Sequence, residues 1–381
     1  VKVVVIGAGA AGTAAAWALA RAGVDTTVVH DRPGATALSS GAIDREPWEQ
    51  AARPKVVDGD LLLLSTELGW VIGPDFAQVA TPAGVARPAR GRDLALLDLA
   101  ELAGKRIAVV DELFAGWDGI LVARALADSP WARSTGTTFE AVPVSLRVVE
   151  AEREFSSYDV ALLFDEPKRF ERLCALLREA QNGFDAWLTG PWLGVTTDVA
   201  ERARQALGVP IGETTSPPGG PAGARFERMR GSVLEQAGAK LVCGRVSDLA
   251  PDGSGFRVEL EEEALSADGV VLAIGGVAVD GIRLDGPPHL PAGDACFRTS
   301  LNAPVELELD GAPLDQVSSM YGVDLSIHGL GLLERVGIAA DGVAARGAPG
   351  VFVAGDCLAG RPRTVLEALR AGLAAARMLV G

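Results

Sequence analysis

The chain has 381 residues, of which 48% are hydrophobic, and a formal net charge of −15. That length and apolar content suit two domains, or one large α/β domain with an insertion. The acidic excess argues against nucleic acid and against an anionic membrane surface as partners, because both would repel it.

No run approaches the roughly 20 apolar residues of a membrane span, and the chain opens on a strand rather than on a charged-then-apolar leader. The four cysteines, Cys174, Cys243, Cys296 and Cys357, show no C-x-x-C spacing. No zinc or iron–sulfur site is expected from them, and they read as reduced thiols of a cytoplasmic protein. The three histidines, His30, His289 and His328, leave little material for a metal site or a histidine triad.

In chain order, Val3–Ile6 is a short β-rich run, Thr13–Arg21 is Ala-rich and helix-favouring, Gly23 ends that helix, and Thr26–His30 is a second strand. This is a complete strand–helix–strand unit of about 30 residues. Its turn is Gly7-Ala8-Gly9-Ala10-Ala11-Gly12. Gly7 permits the sharp turn, Gly9 lets the backbone approach a diphosphate, and Gly12 lets the helix pack close to the sheet. The helix N-terminus then faces a phosphate. In this context the fingerprint predicts a nucleotide-type cofactor. The second strand ends on His30-Asp31, where a dinucleotide site usually places its acidic residue one position earlier.

The loop "TALSSGAID" (Thr36–Asp44) follows. Ser39, Ser40 and Gly41 either line the cofactor, with two hydroxyls and a close backbone approach, or cap a short helix. From Ala51 to about Gly212 strands and amphipathic helices of a second layer are expected. "TTSPPGGPAGARFERMR" (Thr214–Arg230) reads as a rigid crossover back to the first domain, leading into a helix over Arg225–Ala237 and a strand over Lys240–Val246. A β-meander and a buried strand, Gly269–Ile274, follow, then an irregular stretch from Val277 to Gly347. The end of the chain is the apolar strand Gly350–Ala354, the pair Gly355-Asp356, a loop, and a helix over Thr364–Val380.

The fold class expected is α/β: a Rossmann-like, three-layer ββα nucleotide-binding domain with an inserted second α+β domain. The first domain is discontinuous, over 1–50, 215–280 and 347–381. The second domain, for substrate or partner, covers 51–214 and 281–346. The middle region carries the strand but not the glycine spacing of a second nucleotide fingerprint, so no NAD(P)H site is expected.

The ending "VFVAGDC" resembles flavoproteins of the glutathione-reductase and fumarate-reductase types, whose matching aspartate accepts hydrogen bonds from the ribityl chain; here that residue is Asp356. "DGVVLAIGG" resembles the A-T-G-G strand end of the same superfamily, with Ile274 in place of threonine. Flavin is therefore favoured over nicotinamide. The cofactor-binding set is Gly7, Ala8, Gly9, Ala10, Ala11, Gly12, His30, Asp31, Ser39, Ser40, Gly41, Val246, Ala273, Gly275, Gly355, Asp356, Thr364 and Val365. No metal is included.

Over most of its length the chain also resembles the second flavoprotein subunit of the anaerobic glycerol-3-phosphate dehydrogenase. The likeness rests on "GAGAAG", "SSGAID", "ATPAGVARPARG" (Ala80–Gly91), "GKRIAVVDELFAGWDG" (Gly104–Gly119), "LGVPIGETTSPPGGPAGARF" (Leu207–Phe226) and "VVLAIGG". It implies a membrane-associated complex that oxidises glycerol 3-phosphate to dihydroxyacetone phosphate and passes electrons to quinone. The implied partners are a catalytic flavoprotein subunit and an iron–sulfur subunit, with the chain itself cytoplasmic. The family is usually assigned FMN, whereas "VFVAGDC" is a fuller FAD-type ending; FAD is preferred, with FMN the alternative. His328 is the candidate base by residue type. Arg298, Arg361 and Arg363 are the candidate phosphate ligands, since the guanidinium fork matches a phosphate. Two other readings stay open: an electron-relay or structural flavoprotein subunit, and a stand-alone flavin oxidoreductase on another small acid or amine.

Overall fold

The structure, a computed structural model, describes residues 1–44, 58–196, 198–285, 294–318, 323–324 and 330–381. His289 and His328 lie outside the described residues.

The chain forms two compact units. The first comprises Val1–Thr36, Asp58–Leu64 and Arg230–Gly381; the second comprises Ala37–Val57 and Ser65–Met229.

The first unit is built on a seven-stranded sheet. Its strands are β1 (Lys2–Ile6), β2 (Asp25–His30), β3 (Lys240–Cys243), β4 (Gly269–Leu272), β5 (Ala340–Asp341), β6 (Ala344–Ala345) and β7 (Val351–Val353), in the order β3-β2-β1-β4-β7-β6-β5. The first five strands of that order pair in parallel. β6 and β5 close the edge antiparallel. β1, β4 and β7 are buried runs of Val, Ile, Leu and Phe. Such near-continuous apolar strands are what a parallel sheet covered on both faces requires. In register, Ile6 lies between Val29 and Leu272, so the chain leaves β1 at the centre of the sheet.

Two helices, α1 (Ala10–Arg21) and α2 (Val365–Val380), pack on each other through small residues. A Cβ placed on Gly372 of α2 would stand 2.2 Å from the Ala11 carbonyl oxygen. An antiparallel meander, Val246–Asp252, Gly255–Leu260 and Ala264–Ala267, also belongs to this unit, and its Phe256 ring abuts Gly350 just ahead of β7.

Two boundaries differ from those expected. The described part of 281–346 belongs to the first unit, not to a second domain. The reason lies in the hydrogen bonding: β5 and β6 extend the main sheet, and Ile338 bridges to Leu358. Conversely, the Pro/Gly-rich segment up to Met229 sits in the second unit, where the Ser216 amide donates to the Ser40 carbonyl (2.9 Å). Its helix starts earlier than expected, at Pro221.

The second unit carries a parallel four-stranded sheet, in the order Thr138–Pro143, Arg106–Asp111, Ala186–Thr189, Ile211–Glu213. A three-stranded antiparallel sheet accompanies it, formed by Ala42–Ile43, Ala86–Asp93 and Trp70–Ala80. Among the described residues, no helix of either unit is long and apolar enough to cross a membrane.

A buried charge cluster ties the elements of the second unit together. Arg225 is 1% exposed. It donates to Asp93 (3.1 Å), to Glu213 (2.7 Å) and to the Gly194 carbonyl (2.7 Å). Burial pushes the Glu213 carboxyl upward, against the pull of the guanidinium. Removing one partner of such a cluster leaves uncompensated charge in a medium that cannot solvate it. Arg225→Met is therefore expected to destabilise the chain by about 3–5 kcal/mol, read as a lower urea midpoint; an unchanged midpoint would show that the cluster is not a structural element.

Candidate functional site

The loop between β1 and α1 is only Gly7-Ala8-Gly9. Gly7 has φ +105°, a conformation that L side chains rarely adopt. A Cβ there would lie 2.2 Å from the Ala273 carbonyl oxygen, and one on Gly12 would lie 1.9 Å from the Gly7 carbonyl oxygen. The turn is thus pressed against the end of β4 on one side and against its own helix on the other. The Gly7 amide donates to Val29 at the end of β2 (2.8 Å), which fixes the turn to the sheet.

α1 starts with Gly9 as its cap, with no side-chain cap and no acidic residue in its first turn. Its amides and the positive end of its dipole therefore meet no carboxylate of their own, which is the condition for anion binding. The Thr36 hydroxyl accepts from the Ala10 amide (3.1 Å). A Cβ on Gly34 would lie 3.4 Å from the Gly9 Cα, so this second glycine backs the turn closely.

The turn opens on a cleft of about 890 Å³, its open mouth included. The lining comes from the carboxyl ends of the parallel strands: Gly7–Ala11 after β1, Val29–Thr36 at the end of β2, Gly244–Val246 after β3, Ala273–Gly275 after β4 and Ala354–Asp356 after β7. Carboxyl strand ends are where open parallel sheets place their ligands, and the volume falls within the range of about 300–1,000 Å³ typical of small-molecule sites.

Burial, with the positive charge of Arg230, lowers the His30 pKa; Asp31 pulls it the other way. The strand end therefore presents a histidine biased toward the neutral form. Burial raises the Asp356 carboxyl, opposed by the Arg363 guanidinium. Burial pushes the neighbouring Cys357 thiol up to about 12, and its Sγ is 3.3 Å from the Leu272 carbonyl oxygen, so this cysteine is an inert packing group.

Of the residues singled out from the sequence, Gly7 to Ala11, His30, Asp31, Val246, Ala273, Gly275, Gly355 and Asp356 all line this cleft. Gly12 does not; it packs behind the turn. Ser39, Ser40 and Gly41 belong to the second unit. There the Ser39 hydroxyl accepts from the Gly41 amide (3.1 Å), and Arg87 approaches the Ser40 hydroxyl (3.5 Å). The Thr364 hydroxyl caps α2 by accepting from the Glu367 amide (3.2 Å), and Val365 opens that helix.

Among the candidate arginines, Arg361 pairs with Glu367 (3.6 Å). Arg363 donates to the Leu333 carbonyl and to the Val336 carbonyl (2.6 Å). Arg298 sits on the strand Asp294–Thr299, opposite Arg283. None of the three lines the cleft. The candidate base His328 lies outside the described residues.

Sequence reasoning missed Arg32, Thr36, Arg245 and Ser300, which also line the cleft. They come from irregular loops, and only the rule that strand ends converge could have found those after β2 and β3. Among the described residues, no group of three or more His, Cys, Asp or Glu side chains could hold a metal ion.

The second unit's parallel sheet turns differently. Seven residues separate the strand ending at Asp111 from the helix Gly119–Ala127, and the Asp118 carboxylate caps that helix by accepting from Leu121 (2.8 Å). The Trp117 indole donates back to Val110 (2.8 Å), and Trp117 and Phe114 pack edge-on against Trp192. A capped helix and a space filled by aromatic rings oppose an anion at this position.

A family model described as "FAD binding domain" matches residues 2–46. A D-amino acid dehydrogenase of Paramagnetospirillum magneticum is 47% identical over 73 residues, which is 17% of this chain and 17% of that protein's length. An aromatic hydroxylase from angucycline biosynthesis superposes with a TM-score of 0.36 at 13% identity, over all of this chain and 61% of the other. Glycine oxidase from Geobacillus kaustophilus gives a TM-score of 0.35 at 14% identity, over all of this chain and 94% of that one. The fold is the Rossmann-like α/β fold of FAD-binding proteins, and the cofactor is FAD. The cleft fits it: an uncapped helix N-terminus and a side-chain-free turn stand where a diphosphate requires them.

The raised Asp356 pKa has a stability consequence. The folded chain holds that proton more tightly than the unfolded chain does, so the contribution is full below the ordinary value of 3.8 and is lost as pH rises through the folded value. Asp356→Asn is expected to stabilise the cofactor-free chain at about pH 7, with the gain vanishing near about pH 4. Urea unfolding at the two pH values checks this; an equal gain at both would show that ionisation is not its cause.

Proposed function

We propose that the chain is an FAD-dependent oxidoreductase that removes hydride from a carbon bearing oxygen, with glycerol 3-phosphate as substrate and dihydroxyacetone phosphate as product. The observation that carries the flavin part is the convergence of the glycine turn and the Gly355-Asp356 pair on one cleft of a single unit. When bound, FAD supplies the hydride acceptor; the protein supplies binding, orientation and electrostatics.

On this reading the Gly7–Gly12 turn holds the diphosphate by its amides. His30 and Asp31 stand at the strand end where the adenosine ribose is usually met. Asp356 accepts hydrogen bonds from the ribityl hydroxyls. The substrate phosphate falls to Arg361 and Arg298. Arg363, with two of its nitrogens on backbone carbonyls, serves instead to hold the segment Leu330–Glu334 beside the loop after β7. His328 takes the hydroxyl proton as hydride leaves the adjacent carbon.

The resemblance to the dehydrogenase's second flavoprotein supports the choice of substrate. It also supports delivery of the electrons to a quinone through a catalytic flavoprotein subunit and an iron–sulfur subunit. A second reading, oxidation of an amino acid at the carbon bearing its nitrogen, is favoured by the 47% identical stretch shared with a D-amino acid dehydrogenase.

Anaerobic addition of glycerol 3-phosphate to the FAD-loaded chain is expected to bleach the visible flavin band. Bleaching by a D-amino acid alone would replace this substrate with the second reading. Bleaching by neither, with reduction only by dithionite, would remove catalysis from this chain and leave an electron-relay subunit. His328→Asn is expected to slow the reduction by about 10²–10⁴-fold; an unchanged rate would remove His328 as the base.

A further inference from the structure

The glycine turn has a buried support. Arg230 lies on the helix Pro221–Ala237, is 7% exposed, and belongs to the same unit as the cleft. Its Nη1 donates to the Ala8 carbonyl oxygen (3.1 Å), which also lies 3.3 Å from the Thr13 hydroxyl. The peptide between Ala8 and Gly9 is trans. In a trans peptide the carbonyl and the following N–H point in opposite directions. Holding the Ala8 oxygen down toward Arg230 therefore turns the Gly9 N–H the other way, at the residue that lines the cleft and caps α1.

A neutral donor could make the same bond, but a guanidinium adds two things. A charge-assisted hydrogen bond is roughly twice as strong as a neutral one, and a positive charge buried under the turn attracts an anion above it in a medium that screens poorly. The same charge reaches His30 at the end of β2. The other charged groups around that histidine are Asp31 beside it in the chain, Arg32 in the same loop and Arg245 after β3.

We propose that Arg230 is a positioning residue for the FAD diphosphate: it fixes the Ala8–Gly9 peptide with its N–H toward the cleft and places a buried positive charge beneath the turn. Arg230 has no contact with substrate in this role. The inference rests on the reading of the cleft as the FAD site.

Two measurements on the full chain test it. The first is FAD affinity, read by quenching of flavin fluorescence on reconstitution. Arg230→Met is expected to weaken FAD by about 10- to 100-fold, and Arg230→Lys, which keeps the charge but loses the fork, by a smaller factor. The second is the proton NMR titration of His30 in the cofactor-free chain, assigned through His30→Asn. Loss of the Arg230 charge is expected to move that titration upward in Arg230→Met and to leave it in place in Arg230→Lys. A role confined to packing would weaken folding without moving the His30 titration in this charge-dependent way.

FAD affinity of the folded Met variant within about twofold of the parent, or a His30 titration that does not move, overturns the inference. If the Met variant does not fold, the Lys variant decides: weakened FAD binding with an unmoved His30 titration supports the proposal, and parental affinity overturns it. Failure of the parent chain to bind FAD at all overturns the cofactor reading, and this inference with it. Because the His30 titration needs no FAD, it reports on the Arg230 charge separately.

Discussion

The first unit depends on a contact that leaves no room for a side chain: the backbone of Gly7 against the carbonyl of Ala273, and the backbone of Gly12 against Gly7 itself. Methyl groups at those positions would sit about 2 Å from backbone oxygens, well inside any tolerable contact. The absence of side chains lets β1 turn at once into α1. The helix then begins directly at the sheet's carboxyl edge, and its N-terminus opens on the cleft. A longer turn would separate helix and strand, as in the second unit, where seven residues intervene, a carboxylate caps the helix and tryptophans fill the space. The two parallel sheets of one chain thus show the same strand–helix step with and without the geometry an anion needs.

The cleft shows the compromise expected of a binding site. The Asp356 carboxyl is held where burial disfavours its charge, and His30 is held where burial and Arg230 disfavour its protonation. Buried charge elsewhere in the chain is matched, as in the cluster of Arg225 with Asp93 and Glu213. Perturbed groups collected along one cleft, with a helix N-terminus aimed into it, are the pattern of a site shaped for a ligand rather than for stability alone.

The opening unit was legible in the sequence because glycine spacing dictates backbone geometry directly, and buried parallel strands announce themselves as apolar runs. Gly355-Asp356 was legible for the same reason, standing at the end of such a run. The segment 281–346 was not. Its strands in the main sheet are two residues long and antiparallel, so no periodicity marks β5 and β6. Arg32, Arg245 and Ser300 reach the cleft from loops whose course depends on the packing of distant strands. Arg225 and Asp93 are 132 residues apart and are brought together only by the tertiary fold. Ser39 and Ser40 looked like cofactor ligands because hydroxyls beside glycine suit that task, yet the same chemistry serves local turns, as the Ser39–Gly41 bond shows.

The central claim is that this cleft holds a flavin whose diphosphate rests on the Gly7–Gly12 turn. Its most direct test is to denature the purified holoprotein, separate the released flavin by chromatography and compare its amount with that of the chain. FAD in a one-to-one ratio is the expected result. FMN, which lacks the diphosphate and the adenosine, or no flavin after reconstitution with FAD, would contradict it.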